Sequence, residues 1–413
     1  MSSKQASVFS LAVIVAALGY FVDIYDLLLF SIIRVESLRD LQLTDAEIAT
    51  KGLLIINIQM AGLLIGGILW GILGDKRGRL KVLYASIILY SLGNIANGFV
   101  QTAEQYALVR FFTGIGLAGE LGAGITLVSE LLPKEKRGVG TSLVAGIGLT
   151  GAVVAFFLKE TFHWRVCYFI GGGLGIMLLL LRVGVLESGM FKNIQHSAVS
   201  KGNFFMFFNN GKRMRKYLSS IFIGLPTWYV IGILVSFSKE FGEKMGVQGE
   251  VDPGKAVMFA YAAISIGDIA VGLLSQYFKS RKKALFVFYG LTGIGMIWFF
   301  NLHGQPVNSL YAAAALLGFG TGFWAIFVTM AAEQFGTNIR ATAATTVPNM
   351  VRGALIPISL LFTWLQGFKD YVTSGWITGI VVMVIGVVSS LLAEETFHKD
   401  LNYVEEDAAP GLP

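Results

Sequence analysis

The sequence predicts an all-α integral membrane protein with twelve transmembrane helices in two pseudo-symmetric six-helix bundles. Hydrophobic residues make up 54% of the 413 residues and charged residues only 14%, whereas soluble proteins carry about 25% charged residues. Apolar runs long enough to cross about 30 Å of hydrocarbon recur along the chain. In addition, two motifs of the first half return in the second half.

Twelve runs are predicted to span the membrane, separated by short polar segments. They cover residues 8–35, 50–73, 80–99, 103–131, 138–159, 164–186, 216–239, 254–278, 283–301, 307–331, 341–367 and 372–393. The first run continues beyond Asp26 without a small-residue cleavage site, which favours a transmembrane helix over a signal peptide. We therefore expect an N-terminal bundle (1–187), a cytoplasmic linker (188–215), a C-terminal bundle (216–395) and a cytoplasmic tail (396–413).

Basic residues predict the orientation of the chain. Most of the 32 Lys and Arg residues, Arg182 among them, fall in the segments that share a side with the N-terminus, whereas Arg34 falls on the other side. Such basic segments face the cytoplasm, so both termini are expected there, in the plasma (inner) membrane. The net charge of +6 is spread over the ends of apolar runs, which indicates topology and not nucleic-acid binding. A monomer in the lipid bilayer is expected.

Composition also argues against several chemistries. The single cysteine, Cys167, excludes an internal disulfide, and the four histidines lack metal-ligand spacing. No catalytic His/Cys constellation is found, so we expect neither an enzyme nor a cofactor or metal. A transporter-like membrane sensor remains the alternative from another class, although the predicted tail is short for a signalling domain.

Two pairs of loop motifs relate the halves. SELLPKEKRG (129–138) corresponds to AEQFGTNIRA (332–341), which pairs Glu130 with Glu333 and Arg137 with Arg340 at one common offset. GILGDKRGRLKVL (71–83) corresponds to GLLSQYFKSRKKAL (272–285) with one insertion. Two parallel repeats predict a transporter that rocks about a small-molecule site between its halves, near the midplane of the membrane.

The first loop motif, GDKRGRLK, resembles the signature of the major facilitator superfamily. RFFTGIGLAGE followed by SELLPKEKRG is similar to the sugar-porter, metabolite–proton symporter and organic-ion branch of that superfamily. The resemblance covers all twelve predicted spans and implies alternating access. Asp75 and Arg79 of the loop motif are expected to hold one conformation, and the same gating role is expected of Glu130, Arg137, Glu333 and Arg340.

Two aspartates, Asp23 and Asp26, lie one helical turn apart in the first span. An ionised carboxylate in hydrocarbon costs at least about 2.5–3.5 kcal/mol, so such groups usually serve a function. In xylose–proton symporters, which the chain resembles here, an aspartate of the first span and an arginine of the fourth form the proton switch. Asp26 and Arg110 occupy the matching positions, and Asp23 is expected to share the proton. A fixed Asp26–Arg110 pair is the structural alternative.

Three further charges are expected near the midplane: Glu120, Asp268 and Arg352. Asp268 and Arg352 are at similar depth and are expected to pair, either as a structural bridge or as part of the site. The four acids exceed Arg110 and Arg352 in number, which indicates that an acid is protonated or that a cation binds. Proton coupling is the simpler explanation, with the proton as the coupling ion.

Arg352 suggests the class of substrate. Organic anion transporters, which the eleventh span resembles, place an anion-binding arginine at the same distance after the loop arginine as Arg352 lies after Arg340. The resemblance implies symport of a small organic anion with a proton, and a sugar, a polyol or an organic cation are the alternatives. Six further residues are expected to line the substrate cavity: Tyr25, Gln59, Trp228, Tyr229, Trp324 and Asn349.

Overall fold

The computed structural model describes residues 11–77, 79–120, 144–186, 204–336, 339–397 and 405, without the side chains of 11, 12, 74–77, 79, 80, 183–186 and 341. In chain order the helices are α1 Leu11–Asp40, α2 Asp45–Arg77, α3 Arg79–Asn97, α4 Ala103–Leu117, α5 Gly151–Thr161, α6 Trp164–Leu186, α7 Gly211–Tyr229, α8 Ser238–Lys244, α9 Pro253–Phe278, α10 Arg281–Phe300, α11 Val307–Thr321, α12 Trp324–Glu333, α13 Arg340–Gly353, α14 Leu355–Leu365 and α15 Tyr371–Leu392. A 3-10 turn covers Phe204–Phe207, and a π-helical segment, Val230–Val235, extends α7.

The predicted all-α membrane fold is confirmed. Nine helices within the described ranges are long and apolar enough to cross a bilayer. Large apolar side chains face outward, such as Leu180, Leu273 and Leu360 at 68%, 69% and 63% exposure, whereas Asp23 and Arg110 are completely buried. An apolar exterior around a polar interior is the distribution that lipid requires.

The two halves repeat the same packing through close glycine contacts. Helix α2 packs along α4 in the first half, as α9 packs along α11 in the second. A Cβ on Gly66 would lie 2.5 Å from the carbonyl oxygen of Ile115, and a Cβ on Gly267 would lie 2.6 Å from that of Phe319. Small residues at equivalent positions thus let the backbones approach equally closely in both halves.

Three spans predicted as single helices contain irregularities. The span predicted at 307–331 is two helices, because α11 ends at Thr321 and Gly322 packs against the backbone of Gly267 before α12 begins at Trp324. The span predicted at 216–239 becomes π-helical four residues after Pro226, which lacks the N–H for the regular helix ladder. The span predicted at 341–367 is interrupted at Ala354, between α13 and α14.

Among the described helices, the halves meet where α1 packs on α9, α5 on α9, α2 on α13 and α2 on α14. We call the side of the bundle at which α1 ends, near Asp40, the distal side, and the opposite side the proximal side. Because α1 lies between its own half and α9, polar side chains at its middle face other helices and not lipid.

Candidate functional site

The centre of the site is a contact between the two halves. Asp23 of α1 and Arg352 of α13 approach to 3.5 Å between Oδ2 and Nη2, and their side chains are 0% and 1% exposed. Arg352 also donates from Nη1 to Oδ1 of Asn349 at 3.4 Å, and its guanidinium carbon lies 6.0 Å from the ring centre of Trp324. A buried carboxylate, a buried guanidinium and an aromatic ring therefore meet at the interface.

Arg110 lies at the level of Asp26, as expected, but binds its backbone. Nη2 of Arg110 donates to the carbonyl oxygen of Asp26 at 2.9 Å, and Nε donates to Oε1 of Gln59 at 3.1 Å. Gln59 in turn donates to the carbonyl oxygen of Leu27 at 3.1 Å. Gln59 thus holds Arg110 against α1.

The carboxylate of Asp26 is buried against α6. A Cβ on Gly171 would lie 2.5 Å from Oδ1 of Asp26, so glycine is needed for this approach. Neither oxygen has a hydrogen-bond partner of regular geometry within the described part of the chain, although Arg110 and Asn94 lie within electrostatic range. The fixed carboxylate–guanidinium pair considered above is therefore not the arrangement found.

The prediction that Asp268 and Arg352 form an ion pair is wrong. Oδ1 of Asp268 accepts the backbone N–H of Ala325 at 3.0 Å, within the first turn of α12. This carboxylate takes the place of an N-terminal cap, which the break at Gly322 makes necessary. Arg352 instead reaches across to Asp23 in the other half.

Two buried arginines were assigned to loops or helix ends and prove to be internal. Arg182 of α6 binds the carboxylate of Glu120 with both terminal nitrogens, with Nη1 to Oε2 at 3.0 Å, and both side chains are almost completely buried. Arg34 is completely buried near the distal end of α1. Arg182 therefore joins Arg110 and Arg352 as a third internal arginine beside the four internal acids, Asp23, Asp26, Glu120 and Asp268. The excess of negative charge is thus smaller than the sequence suggested.

Several residues predicted to line the cavity make contacts within or between the bundles. The hydroxyl of Tyr25 donates to the carbonyl of Cys167 at 2.8 Å, and that of Tyr229 donates to the carbonyl of Gly375 at 2.6 Å. Asn349 donates to the carbonyl of Ala118 at 2.9 Å and so ties α13 to the end of α4 in the other half. Trp228 is buried in α7, two residues before the π-helical segment.

The expected gating residues are only partly described. Glu130 and Arg137 lie outside the described residues, as do the side chains of Asp75 and Arg79. Glu333 accepts two hydrogen bonds from Arg281, both at 2.8 Å, and one from Thr396 at 2.7 Å. Arg340 donates to the carbonyl of Phe335 at 3.2 Å. In the second half, the ion pair between Arg281 and Glu333 thus joins the loop motif at 272–285 to the motif at 332–341 on the proximal side.

The distal side is closed by ion pairs between the halves. Arg34 binds Glu240 with Nη1–Oε1 at 2.7 Å and Nη2–Oε2 at 2.9 Å, and it donates to the carbonyl of Ser236 at 3.1 Å. Its guanidinium lies 4.2 Å from the ring centre of Phe237. A second bridge joins Lys159 Nζ to Asp252 Oδ2 at 2.7 Å. The sequence does not identify the partners of these bridges, because their charged residues lie near helix ends, where charges are also common in loops.

A buried polar site between two matching helical bundles with apolar exteriors is the arrangement expected of a membrane transporter. The model of the Major Facilitator Superfamily matches residues 9–358, and the chain belongs to this superfamily.

Curated relatives carry the names of small-molecule transporters. The chain is 26% identical to the niacin transporter of Acinetobacter baylyi, over 94% of this chain and 95% of the relative. It is 26% identical to the probable 4-methylmuconolactone transporter of Cupriavidus pinatubonensis, over 96% and 93%. Identity to the benzoate transport protein of Acinetobacter baylyi is 23%, over 82% and 80%.

Proposed function

We propose that the protein imports a small ring-bearing carboxylate together with a proton, by alternating access. The observation that carries this proposal is the contact between Arg352 and Asp23, which joins the two halves at a buried position. The guanidinium is the group that best complements a carboxylate, since it donates two parallel hydrogen bonds. Asp23 occupies it in the structure, so an incoming carboxylate competes with Asp23.

This competition supplies a coupling mechanism. When a substrate carboxylate displaces Asp23 from Arg352, the aspartate is left buried without its cation. A buried charge without a partner is costly, so protonation of Asp23 is the favourable response. The loaded site then holds one anion and one added proton, and the total charge of the site does not change. An unchanged charge lets the halves rock with the substrate as easily as without it.

Asp26 and Arg110 complete the proton site in this proposal. Asp26 lies one turn from Asp23 and within electrostatic range of it. Arg110 is fixed on the backbone of Asp26 and on Gln59, which leaves the Asp26 carboxylate able to accept the proton from Asp23. Glu120 is engaged by Arg182, and we therefore assign it to the support of the bundle instead of to proton transfer.

The class of substrate is supported by the relatives. Niacin and benzoate are ring carboxylates, and 4-methylmuconolactone is also a small cyclic organic acid. Trp324 lies beside Arg352 and offers an aromatic face to such a ring. The smaller negative excess found in the structure also removes part of the support for a cationic or polyol substrate.

The proposal includes the orientation and the monomeric state that the sequence predicts. We assign the distal side to the outside and both termini to the cytoplasm of the plasma membrane, with a monomer as the functional unit and no organic cofactor. The state described here is then closed to the outside by Arg34 and Lys159.

Uptake into proteoliposomes tests this function. Labelled nicotinate and benzoate should accumulate when the outside is more acidic than the lumen, and accumulation should stop when a protonophore collapses the gradient. Arg352→Ala should bind neither acid measurably, and Arg352→Lys should bind them more weakly than the parent. Binding of a sugar or an amine in place of the acids, or undiminished acid binding by Arg352→Ala, would contradict the proposal.

A further inference from the structure

Two buried polar atoms at the start of α12 and on the facing helix α9 have no hydrogen-bond partner among the described residues. They are the indole nitrogen Nε1 of Trp324 and the carboxylate oxygen Oδ2 of Asp268. The residues are 6% and 1% exposed, so neither atom belongs to an open surface. Buried polar groups are nearly always hydrogen-bonded, so each unpaired one calls for an explanation, such as a bound ligand or a catalytic role.

The fold fixes both groups in place. The approach of Gly322 to the backbone of Gly267 ends α11 and starts α12 at Trp324. Because Oδ1 of Asp268 is bound to the N–H of Ala325, its second oxygen cannot turn away without loss of the cap. Trp324 precedes Ala325 directly, so the indole and the carboxylate are anchored on the same turn of helix.

These atoms belong to the same cluster as the interface contact. The guanidinium of Arg352 lies 6.0 Å from the centre of the Trp324 ring. Tyr20 of α1 lies within electrostatic range of Arg352, Asp23 and Asp268, so all three charges surround one region of the interface. Trp324 therefore adjoins Arg352 through its ring and Asp268 through the next residue, Ala325, so a ligand held by Arg352 and packed on Trp324 lies close to Asp268.

We propose that Trp324 and Asp268 form a second polar contact that selects ring carboxylates bearing a hydroxyl group over unsubstituted ones. This inference rests on the proposed function, in which Arg352 holds the carboxylate. An indole N–H only donates and an ionised carboxylate only accepts, whereas a hydroxyl group accepts one hydrogen bond and donates another. A ring hydroxyl therefore satisfies both atoms at once.

Selection follows from the cost of leaving the two atoms unpaired. A site built to hydrogen-bond a substrate group rejects the analogue that lacks it, because the buried partners then lose their solvation without compensation. Loss of even one such hydrogen bond corresponds to about a tenfold change in affinity. We therefore expect hydroxybenzoates to bind at least about tenfold more tightly than benzoate.

Binding to the purified full-length protein in nanodiscs tests the inference, with benzoate, 3-hydroxybenzoate and 4-hydroxybenzoate as probes in calorimetry. The measured quantity is the ratio of the hydroxybenzoate affinity to the benzoate affinity. In the parent protein at least one hydroxybenzoate should exceed benzoate by about tenfold or more. Trp324→Phe should bring the ratio close to one, since phenylalanine keeps the ring and loses the N–H.

Two further variants complete the test. Asp268→Asn keeps an oxygen for the N–H of Ala325 but replaces the accepting atom by a donor, so the ratio should also fall. Trp364→Phe is the matched control, because Trp364 is 63% exposed on α14, and its ratio should equal that of the parent. All ratios are compared among variants that elute as single species with a parent-like thermal midpoint.

The outcomes separate the two proposals. Equal affinity of the parent for all three acids, or an unchanged ratio in Trp324→Phe, would overturn the hydroxyl-selective contact while leaving the carboxylate site on Arg352 intact. Failure of the parent to bind any of the three acids would overturn both. A preference that Trp324→Phe and Asp268→Asn abolish, and that Trp364→Phe retains, is the result expected.

Discussion

Replacing Arg34 by alanine should open the distal side of the protein. Arg34 makes two hydrogen bonds across the interface, one to the carboxylate of Glu240 and one to the carbonyl of Ser236, and its Nη1 forms an ion pair with Oε1 of Glu240. It is completely buried, and Glu240 is only 14% exposed. All of these contacts must break when the halves separate on this side, so they stabilise the closed state alone.

The size of the effect follows from these contacts. Removing one partner of a buried ion pair costs about 3–5 kcal/mol, and we take the lower end because Glu240 retains some contact with solvent. About 3 kcal/mol corresponds to roughly a 100-fold shift of the equilibrium toward the distally open state. The shift reflects the loss of closed-state contacts and needs no change within either bundle.

A cysteine reporter measures this shift. Ser238 is completely buried and lies two residues before Glu240, and we expect Ser238→Cys in a Cys167→Ser background to react with a maleimide when the halves part. Under conditions where opening and closing are fast, the labelling rate follows the open population. Arg34→Ala should raise that rate by about two orders of magnitude, and Arg34→Lys by less.

Arg39→Ala is the matched control. Arg39 lies on the same helix and pairs with Asp45 at 3.1 Å, but both side chains are more than half exposed, and such surface pairs contribute about 0–1 kcal/mol. The reasoning is refuted if Arg34→Ala is labelled no faster than Arg39→Ala.

Three further predictions concern the proton site, the buried pair and the proximal side. Asp26→Asn should abolish accumulation driven by a proton gradient while exchange of internal for external substrate continues, and undiminished accumulation in proteoliposomes would count against the proton role. Glu120→Gln should lower the stability by about 3 kcal/mol, because Arg182 loses its buried partner; a thermal midpoint equal to that of the parent would be the opposing result. Burial acts to raise the pKa of Glu395, but hydrogen bonds from the Ser280 hydroxyl and from backbone N–H groups outweigh it and lower that pKa. The ionised carboxylate therefore adds to the free energy of unfolding at a pH above its unfolded-state pKa of about 4.3. This contribution is lost as the pH falls through the lower folded-state pKa. Glu395→Gln should thus have a lower thermal midpoint than the parent at pH 7 and the same midpoint at a pH below the folded-state pKa. A difference in midpoint that persists in acid would disprove this cause.

The order and class of the helices follow directly from the sequence. The span predicted at 164–186 coincides with α6, and that predicted at 254–278 differs from α9 by one residue, because Asp252 and Pro253 mark its start. The interruption of the tenth span was not predictable, since it depends on the contact of Gly322 with Gly267 in another helix. Sequence periodicity carries no information about such a contact.

The charges of the site are visible in the sequence, and their partners are not. Counting residues along a helix gives the depth of Asp23, Asp268 and Arg352, since each residue advances about 1.5 Å. Depth leaves open which way each helix faces and how the two halves sit together. Arg352 turns toward Asp23 in the other half, while Asp268 is needed to cap α12, and only the three-dimensional arrangement decides between these possibilities.

The exchange of Asp23 for a substrate carboxylate on Arg352 is the central claim, and proton uptake on binding tests it directly. The purified protein in weakly buffered solution at pH 7 is mixed with a saturating ring carboxylate such as benzoate, and a pH-indicator dye reports the protons taken up. We predict about one proton per bound carboxylate in the parent, and none in Asp23→Asn that still binds the ligand. Binding by the parent without proton uptake, or equal uptake by Asp23→Asn, would contradict the account.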